Sequence, residues 1–162
     1  MLIVDTGPLV AYLNRNDADH ARCAALLESR TDDLLVTPYV VTEACYLVGK
    51  HVGAAAEINL VEALVAGDLN QIEITPADLR RTAELMRQYI GFPLGIADAS
   101  VIAAAERLGF AEVEIFYPNG PWCLPPPAGR RAAPQAYSSW RRIQVWNASP
   151  SSRPFGIRLR IG

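Results

Sequence analysis

The chain has 162 residues, of which 51% are apolar and 20% charged, and this is typical of one globular domain rather than a disordered or fibrous protein. No apolar run approaches the ~20 residues that a transmembrane helix needs, and the N-terminus lacks the basic and apolar regions of a signal peptide. We therefore expect a cytoplasmic protein that does not bind membranes. Three cysteines without CxxC spacing argue against a disulfide framework and a structural zinc site.

The net charge of −2 conceals two regions of opposite charge. Residues 1–112 hold 16 of the 17 acidic and 8 of the 15 basic residues, a net charge of −8, whereas residues 113–162 carry +6. The second region also holds 8 of the 12 prolines, a density that disfavours helices and central strands. We predict a domain over residues 1–116 and an atypical, basic, proline-rich tail over residues 117–162 that is irregular or disordered. The tail is either an arm that binds a partner or nucleic acid, or a segment without a selected structure, and we favour the second interpretation.

The first 112 residues alternate between short apolar strands and helices. Strands are predicted at residues 2–4, 34–36, 71–74 and 112–116. Helices are predicted from near Pro8 and over residues 17–30, 38–50, 54–66, 76–89 and 97–108, two of them opened by a Thr-Pro pair. Short buried strands separated by helices indicate a parallel sheet with helices on its faces, which is an α/β domain.

Three acidic residues are predicted beyond the carboxyl ends of these strands, where α/β sheets bind ligands. Asp5 follows the first strand, Glu43 lies on the helix after the second strand, and Asp98 lies near the start of the last helix. Each residue also has a structural interpretation. Asp5 fits a turn or helix cap, Glu43 a solvated position at a helix rim, and Asp98 a partner of the helix dipole. Taken singly, the three residues leave both interpretations open.

The sequences around these acids resemble the three signature blocks of PIN-domain ribonucleases, and within that family the VapC toxins of bacterial toxin–antitoxin pairs. The blocks read LIVDTGPLVAYL at residues 2–13, TPYVVTE at residues 37–43 and PLGIADASVIAAAERLG at residues 93–109. They occur in the order and at the spacing usual for the family. The resemblance implies a PIN-like, three-layer α/β/α fold with a short parallel sheet, and a site built from Asp5, Glu43 and Asp98.

The chemistry of these residues suits the same function. Carboxylates without cysteine or histidine select a hard cation such as Mg²⁺ or Mn²⁺, which activates water and offsets charge on a phosphate. We therefore predict a metal-dependent endoribonuclease in which Asp5, Glu43 and Asp98 are the catalytic residues and the metal ligands. Thr6 is predicted to support them with its hydroxyl.

Other enzyme classes have less support in the sequence. A carboxylate-metal phosphatase usually carries Asp-x-Asp after its first strand, but Asp5 is followed by Thr6 and Gly7. Neither a P-loop nor a GxGxxG motif occurs. His20 and His51 are assigned no catalytic role. The resemblance implies three partners, namely an RNA substrate, a VapB-like antitoxin and a second copy of the chain in a homodimer.

One part of the family pattern is missing from the chain. Members of the family usually carry a fourth acid at the end of the strand that follows the third block, but residues 115–120 read IFYPNG. This break coincides with the change in charge and proline content, and we interpret it as a change of reading frame near residue 113. An alternative function follows, in which an impaired PIN-like domain still folds and binds an antitoxin but cleaves RNA weakly or not at all.

Overall fold

The computed structural model describes residues 1–91 and 94–109 with their side chains, and three later strands by their backbone. The helices of this part of the chain are α1 (Thr6–Leu13), α2 (His20–Glu28), α3 (Pro38–His51), α4 (Ala54–Ala66), α5 (Pro76–Gln88) and α6 (Ile96–Leu108). The strands are β1 (Leu2–Ile3), β2 (Leu34–Val36), β3 (Asn70–Gln71), β4 (Glu112–Tyr117), β5 (Ser139–Val145) and β6 (Ile157–Ile161). Of the described helices, none is both long enough and apolar enough to cross a membrane.

A short parallel sheet lies at the centre of the domain, with β2 between β1 and β3. Leu35 of β2 pairs with Ile3 on one side and with Asn70 on the other. The amides of Val4 and Ile72 extend these pairings with hydrogen bonds of 2.8 Å to carbonyls of β2. With helices packed around it, this sheet gives the α/β fold that the sequence predicts.

The third predicted strand differs from the observed one. The sequence predicts a strand over residues 71–74, whereas β3 covers Asn70–Gln71. The physical reason lies in β2, which has only three residues before Thr37 turns the chain into α3. A neighbouring strand can pair only along that length.

Side-chain caps set the starts of α3 and α5, at the residues that the sequence predicts. The Thr37 hydroxyl accepts a hydrogen bond from the amide of Val40 at the start of α3. At the start of α5, Thr75 and Asp78 form a reciprocal capping box. By contrast, α2 begins at His20 rather than at residue 17, because the Asp17 carboxylate accepts from the amide of Asp19 and holds a turn there.

Helix α6 is buried on nearly every side, because it packs against α3, α5 and β4. Val101, Ile102 and Ala105 have the spacing of one helix face and are buried. Leu108 has the same spacing but is 42% exposed, because it lies at the C-terminal end of the helix. The many alanines of α6 allow its neighbours to approach closely.

Two ion pairs join α5 to α6. Arg81 donates two hydrogen bonds, of 2.7 and 3.0 Å, to the Glu106 carboxylate, and Arg107 donates to both oxygens of Asp78 at 2.9 and 3.0 Å. Burial raises the pKa of Asp78, but hydrogen bonds from Thr75 and Arg107 outweigh it and leave the pKa below its ordinary value. These ion pairs hold the C-terminal half of α6 against α5. The first turn of α6 carries the predicted site residue Asp98.

The last three strands form an antiparallel sheet in the order β4-β5-β6. The predicted strand at residues 112–116 corresponds to β4, which also lies close to α1 and α6. Strand β5 pairs with β4 on one side and with β6 on the other, and the irregular chain predicted for residues 117–162 stays a prediction. The connecting residues lie outside the described part of the chain, so the division into a domain and a tail stays a prediction.

Candidate active site

Asp5 occupies the junction between β1 and α1 and is only 2% exposed. It is the N-cap residue of α1 by position, yet its side chain makes no capping hydrogen bond. Its Oδ1 atom is buried and has no hydrogen-bond partner among the described residues. Asp5 therefore occupies the N-cap position of α1, as the cap interpretation expects, but its carboxylate is held in the interior without the hydrogen bond that a cap makes.

The electrostatic environment of Asp5 brings the three predicted acids into one region. Burial raises the pKa of Asp5 well above its ordinary value, and the negative charges of Asp98 and Glu43 raise it further. The backbone N–H of Thr6 lowers this pKa but does not offset the other effects. Glu43 and Asp98, which are 38 and 93 positions from Asp5 in the sequence, therefore both lie within electrostatic range of it.

Glu43 is tied to this region by a hydrogen bond from α1. The Thr6 hydroxyl donates to Oε2 of Glu43 over 2.8 Å. Thr6 is buried, whereas Glu43 is exposed on the second turn of α3, as the rim interpretation expects. Thr6 therefore follows the buried Asp5 directly in the chain, and its hydroxyl orients the exposed carboxylate of Glu43.

Asp98 lies in the first turn of α6 and is half-buried. Its Oδ2 accepts a hydrogen bond of 3.3 Å from the backbone amide of Gly95, just before the helix. The carboxylate therefore interacts favourably with the positive end of the helix dipole, as its structural interpretation expects. The same carboxylate also raises the pKa of Asp5, so the two roles coexist.

The donor atoms of this site suit a hard divalent cation. The described residues contain no group of three acidic, histidine or cysteine side chains arranged to hold one ion together. Glu43 instead accepts a hydrogen bond from Thr6, and Asp98 accepts one from Gly95. The available donors are nevertheless carboxylate oxygens, and the buried Oδ1 of Asp5 has no hydrogen-bond partner in the part of the chain that the structure describes. Mg²⁺ or Mn²⁺ would satisfy that oxygen and relieve the repulsion between the acids.

A buried pair of hydroxyls, on Thr37 and Ser100, is not predicted from the sequence. Thr37 Oγ1 and Ser100 Oγ lie 2.7 Å apart and join the start of α3 to α6. Thr37 is identifiable in the sequence as a cap, but its second interaction, 63 positions away, is not. The only signal for Ser100 is a hydroxyl within the otherwise apolar, alanine-rich run of α6.

Comparison with known proteins identifies the family. The PIN domain model matches residues 2–116. The chain belongs to the PIN-domain family. Ribonuclease VapC26 of Mycobacterium tuberculosis is 35% identical to this PIN domain over 106 residues, which cover 65% of the chain and 78% of that protein. The crystal structure of Mycobacterium tuberculosis VapC20, described as a sarcin-ricin loop cleaving toxin, has a TM-score of 0.64 at 19% identity, over 68% of this chain and 85% of that one.

The PIN domain match ends close to the change in composition. All four predicted site residues lie inside the matched segment, and so do the three blocks that resemble the family. The match stops at residue 116, within β4, shortly after the net charge changes and just before the proline-rich segment that begins at Pro118. The family and the fold predicted from the sequence are therefore confirmed for this segment.

Proposed function

We propose that this PIN domain is an endoribonuclease toxin that hydrolyses RNA phosphodiesters with the help of Mg²⁺ or Mn²⁺. The observation that carries the proposal is the buried carboxylate of Asp5, whose Oδ1 has no hydrogen-bond partner among the described residues and whose pKa is raised by burial and by two neighbouring acids. Such an arrangement destabilises the fold in the absence of a cation. Buried, unsatisfied and mutually repelling acids are typical of functional sites.

Each residue of the proposed site has a distinct role. Asp5, Glu43 and Asp98 would hold the ion through their carboxylate oxygens. When bound, Mg²⁺ or Mn²⁺ supplies Lewis acidity, which lowers the pKa of a water molecule and offsets charge on the phosphate. Thr6 fixes the orientation of Glu43 through the 2.8 Å hydrogen bond to its Oε2. No side chain forms a covalent bond with the substrate.

The relatives support the choice of substrate and partners. VapC26 is a ribonuclease and VapC20 cleaves the sarcin-ricin loop. We extend an RNA substrate, a VapB-like antitoxin, a homodimeric state and a cytoplasmic location to this chain as parts of the proposal. Residues 1–112 carry a net charge of −8, which repels RNA. The bound cation and the positive charge of residues 113–162 would offset that repulsion.

Cleavage of a structured RNA by the purified chain tests the proposed activity. We expect cleavage with Mg²⁺ or Mn²⁺ that leaves 5′-phosphate ends and is lost with EDTA or in the Asp98→Asn variant. Asp33→Asn is the matched control, because it removes one negative charge from an exposed position outside the site. Cleavage that persists in Asp98→Asn, or that does not depend on a divalent ion, contradicts the proposal.

The missing fourth acid favours a second candidate function. Residues 115–120 contain no acid, and β4 ends at Tyr117. An impaired PIN domain that binds an antitoxin but cleaves poorly is consistent with this feature. The Tyr117→Asp variant, combined with a family-like ending, distinguishes the two candidates. Activity that appears only in this variant indicates an impaired domain, whereas equal activity in the unmodified chain indicates that three carboxylates suffice.

A further inference from the structure

We propose that Thr37 and Ser100 are positioning residues that fix the separation of Glu43 and Asp98. The inference rests on the proposed function, in which these two carboxylates hold a divalent ion. Both hydroxyl side chains are completely buried, and their oxygen atoms lie 2.7 Å apart. Buried polar pairs of this kind are retained in some proteins because they specify one arrangement of the packed elements.

In the hydrogen bonds around the pair, each group donates to the next in the order Val40, Thr37, Ser100 and Ala97. Ser100 Oγ donates its one proton to the carbonyl of Ala97 over 2.7 Å, so Thr37 is the donor to Ser100. The amide of Val40 in turn donates to Thr37 Oγ1 over 3.3 Å. The result is a continuous chain from Val40 through Thr37 and Ser100 to Ala97. Each hydroxyl both donates and accepts, so the chain needs no water or ligand to complete it.

The ends of this chain are close in sequence to the two carboxylates. Thr37 is the N-cap of α3, and Glu43 lies in the second turn of the same helix. At the other end, Ala97 immediately precedes Asp98 in the first turn of α6. The hydroxyl pair therefore links the two helix starts that carry the proposed ligands. It fixes their relative translation and rotation more tightly than apolar contacts would, because a hydrogen bond is directional and packing is not.

A purely structural role makes a different prediction. If the pair served only stability, its loss would lower the unfolding temperature and leave the ion affinity of the folded protein unchanged. A positioning role predicts weaker ion binding even at temperatures where the variant is fully folded. Loss of groups that orient ligands typically weakens metal binding about 10- to 100-fold.

Calorimetric titration of the full chain with Mn²⁺ tests the inference, with folding checked by circular dichroism. We expect Ser100→Ala to weaken Mn²⁺ binding about tenfold or more, and Thr37→Ser, which retains the hydroxyl, to bind within about twofold of the unmodified chain. Thr82→Val is the matched control. It removes another buried hydroxyl, on α5, whose oxygen has no partner among the described residues, and we expect no change in Mn²⁺ affinity.

Asp98→Asn separates failure of this inference from failure of the proposed function. If Asp98→Asn abolishes Mn²⁺ binding while Ser100→Ala binds as tightly as the unmodified chain, the positioning role is overturned and the metal site stands. If the unmodified chain shows no Mn²⁺ binding that depends on Asp98, both are overturned. Should Ser100→Ala not fold, Ser100→Cys replaces it under the same criteria, because its thiol leaves no cavity and forms weaker hydrogen bonds than the hydroxyl.

Discussion

The Thr6 hydroxyl donates to Glu43 Oε2 over 2.8 Å and so joins the start of α1 to the second turn of α3. Thr6 directly follows Asp5, so this one bond relates a buried acid of the site to an exposed one. The exposed Glu43 side chain has rotamer freedom that the bond restricts. Orientation of one ligand of the proposed site therefore depends on a neighbouring hydroxyl.

Replacement of Thr6 by valine is expected to weaken Mn²⁺ binding about 10- to 100-fold, because Glu43 loses the donor that orients it. Thr6→Ser, which keeps the hydroxyl, is expected to bind nearly as tightly as the unmodified chain. Thr42→Val is the control, since that hydroxyl lies beside Glu43 in sequence but donates to the carbonyl of Pro38. Calorimetric titration measures all three. Equal affinities for Thr6→Val and Thr42→Val contradict a role for Thr6 in orienting Glu43.

Asp5→Asn is expected to stabilise the protein in EDTA at neutral pH. The substitution removes a buried charge that two other acids repel. A gain of about 1 kcal/mol would raise the unfolding temperature by roughly 2–4 °C in a protein of this size. Thermal unfolding in EDTA measures the change, with the exposed Asp33→Asn as the charge-matched control. A variant that unfolds at the same temperature as the unmodified chain, or below it, contradicts the strained environment inferred for Asp5.

The stabilisation that Mn²⁺ gives is expected to increase with pH. Because the pKa of Asp5 is raised in the folded state, its protonated form favours folding, and this contribution is lost as pH rises from its ordinary value of 3.8 through the raised value. The ion competes with that proton, so its affinity rises over the same range. Unfolding temperatures with and without Mn²⁺, compared between about pH 5 and about pH 7.5, measure the difference.

The same pH series in Asp5→Asn provides the control for this linkage. Without the titrating carboxyl, the difference between Mn²⁺ and EDTA is expected to be small and nearly independent of pH. If the stabilisation by Mn²⁺ depended on pH as steeply in Asp5→Asn as in the unmodified chain, a group other than Asp5 would cause the pH dependence.

Arg107→Met is expected to destabilise the fold by about 1–2 kcal/mol at neutral pH. The substitution removes the two hydrogen bonds to Asp78, whose side chain is 3% exposed, and one to the carbonyl of Glu73. The lowered pKa of Asp78 makes its contribution present above the ordinary value of 3.8 and lost as pH falls through the lowered value. Denaturant unfolding at neutral and acidic pH measures the loss.

At acidic pH, where Asp78 is protonated, the destabilisation by Arg107→Met is expected to become smaller. Arg80→Met serves as the control, because Arg80 lies on α5, one of the two helices that the ion pair joins, and its side chain is exposed. A loss for Arg80→Met as large as that for Arg107→Met would show that the charge pair is not the cause.

Local signals in the sequence predict much of the fold and all of the proposed site. The Thr-Pro caps, the glycine with φ of 75° that ends α6, and Asp5 after the first strand each depend on neighbouring residues. The sequence does not predict whether Asp5 caps its helix, since burial without a capping bond is set by the packing of other elements. The Thr37–Ser100 pair is likewise invisible, because 63 positions separate two residues that each have an ordinary local role.

Strand lengths were also beyond local prediction. The 71–74 segment has the composition of a longer strand, but pairing in β3 is limited by the three residues of β2. The strands β5 and β6 lie in a segment whose prolines and arginines favour irregular structure, and their pairing partners are distant in sequence. Contacts of this kind depend on the whole chain rather than on a local pattern.

The most direct test of the central claim is the position of Mn²⁺ in a crystal of the protein, located by its anomalous scattering. We expect one dominant peak within ligand distance of Asp5 Oδ1, with Asp98 or Glu43 completing the coordination. The Asp98→Asn variant is expected to lose that peak under the same conditions. A crystal that binds Mn²⁺ only at other residues, with Asp5 still lacking a partner, would contradict the account.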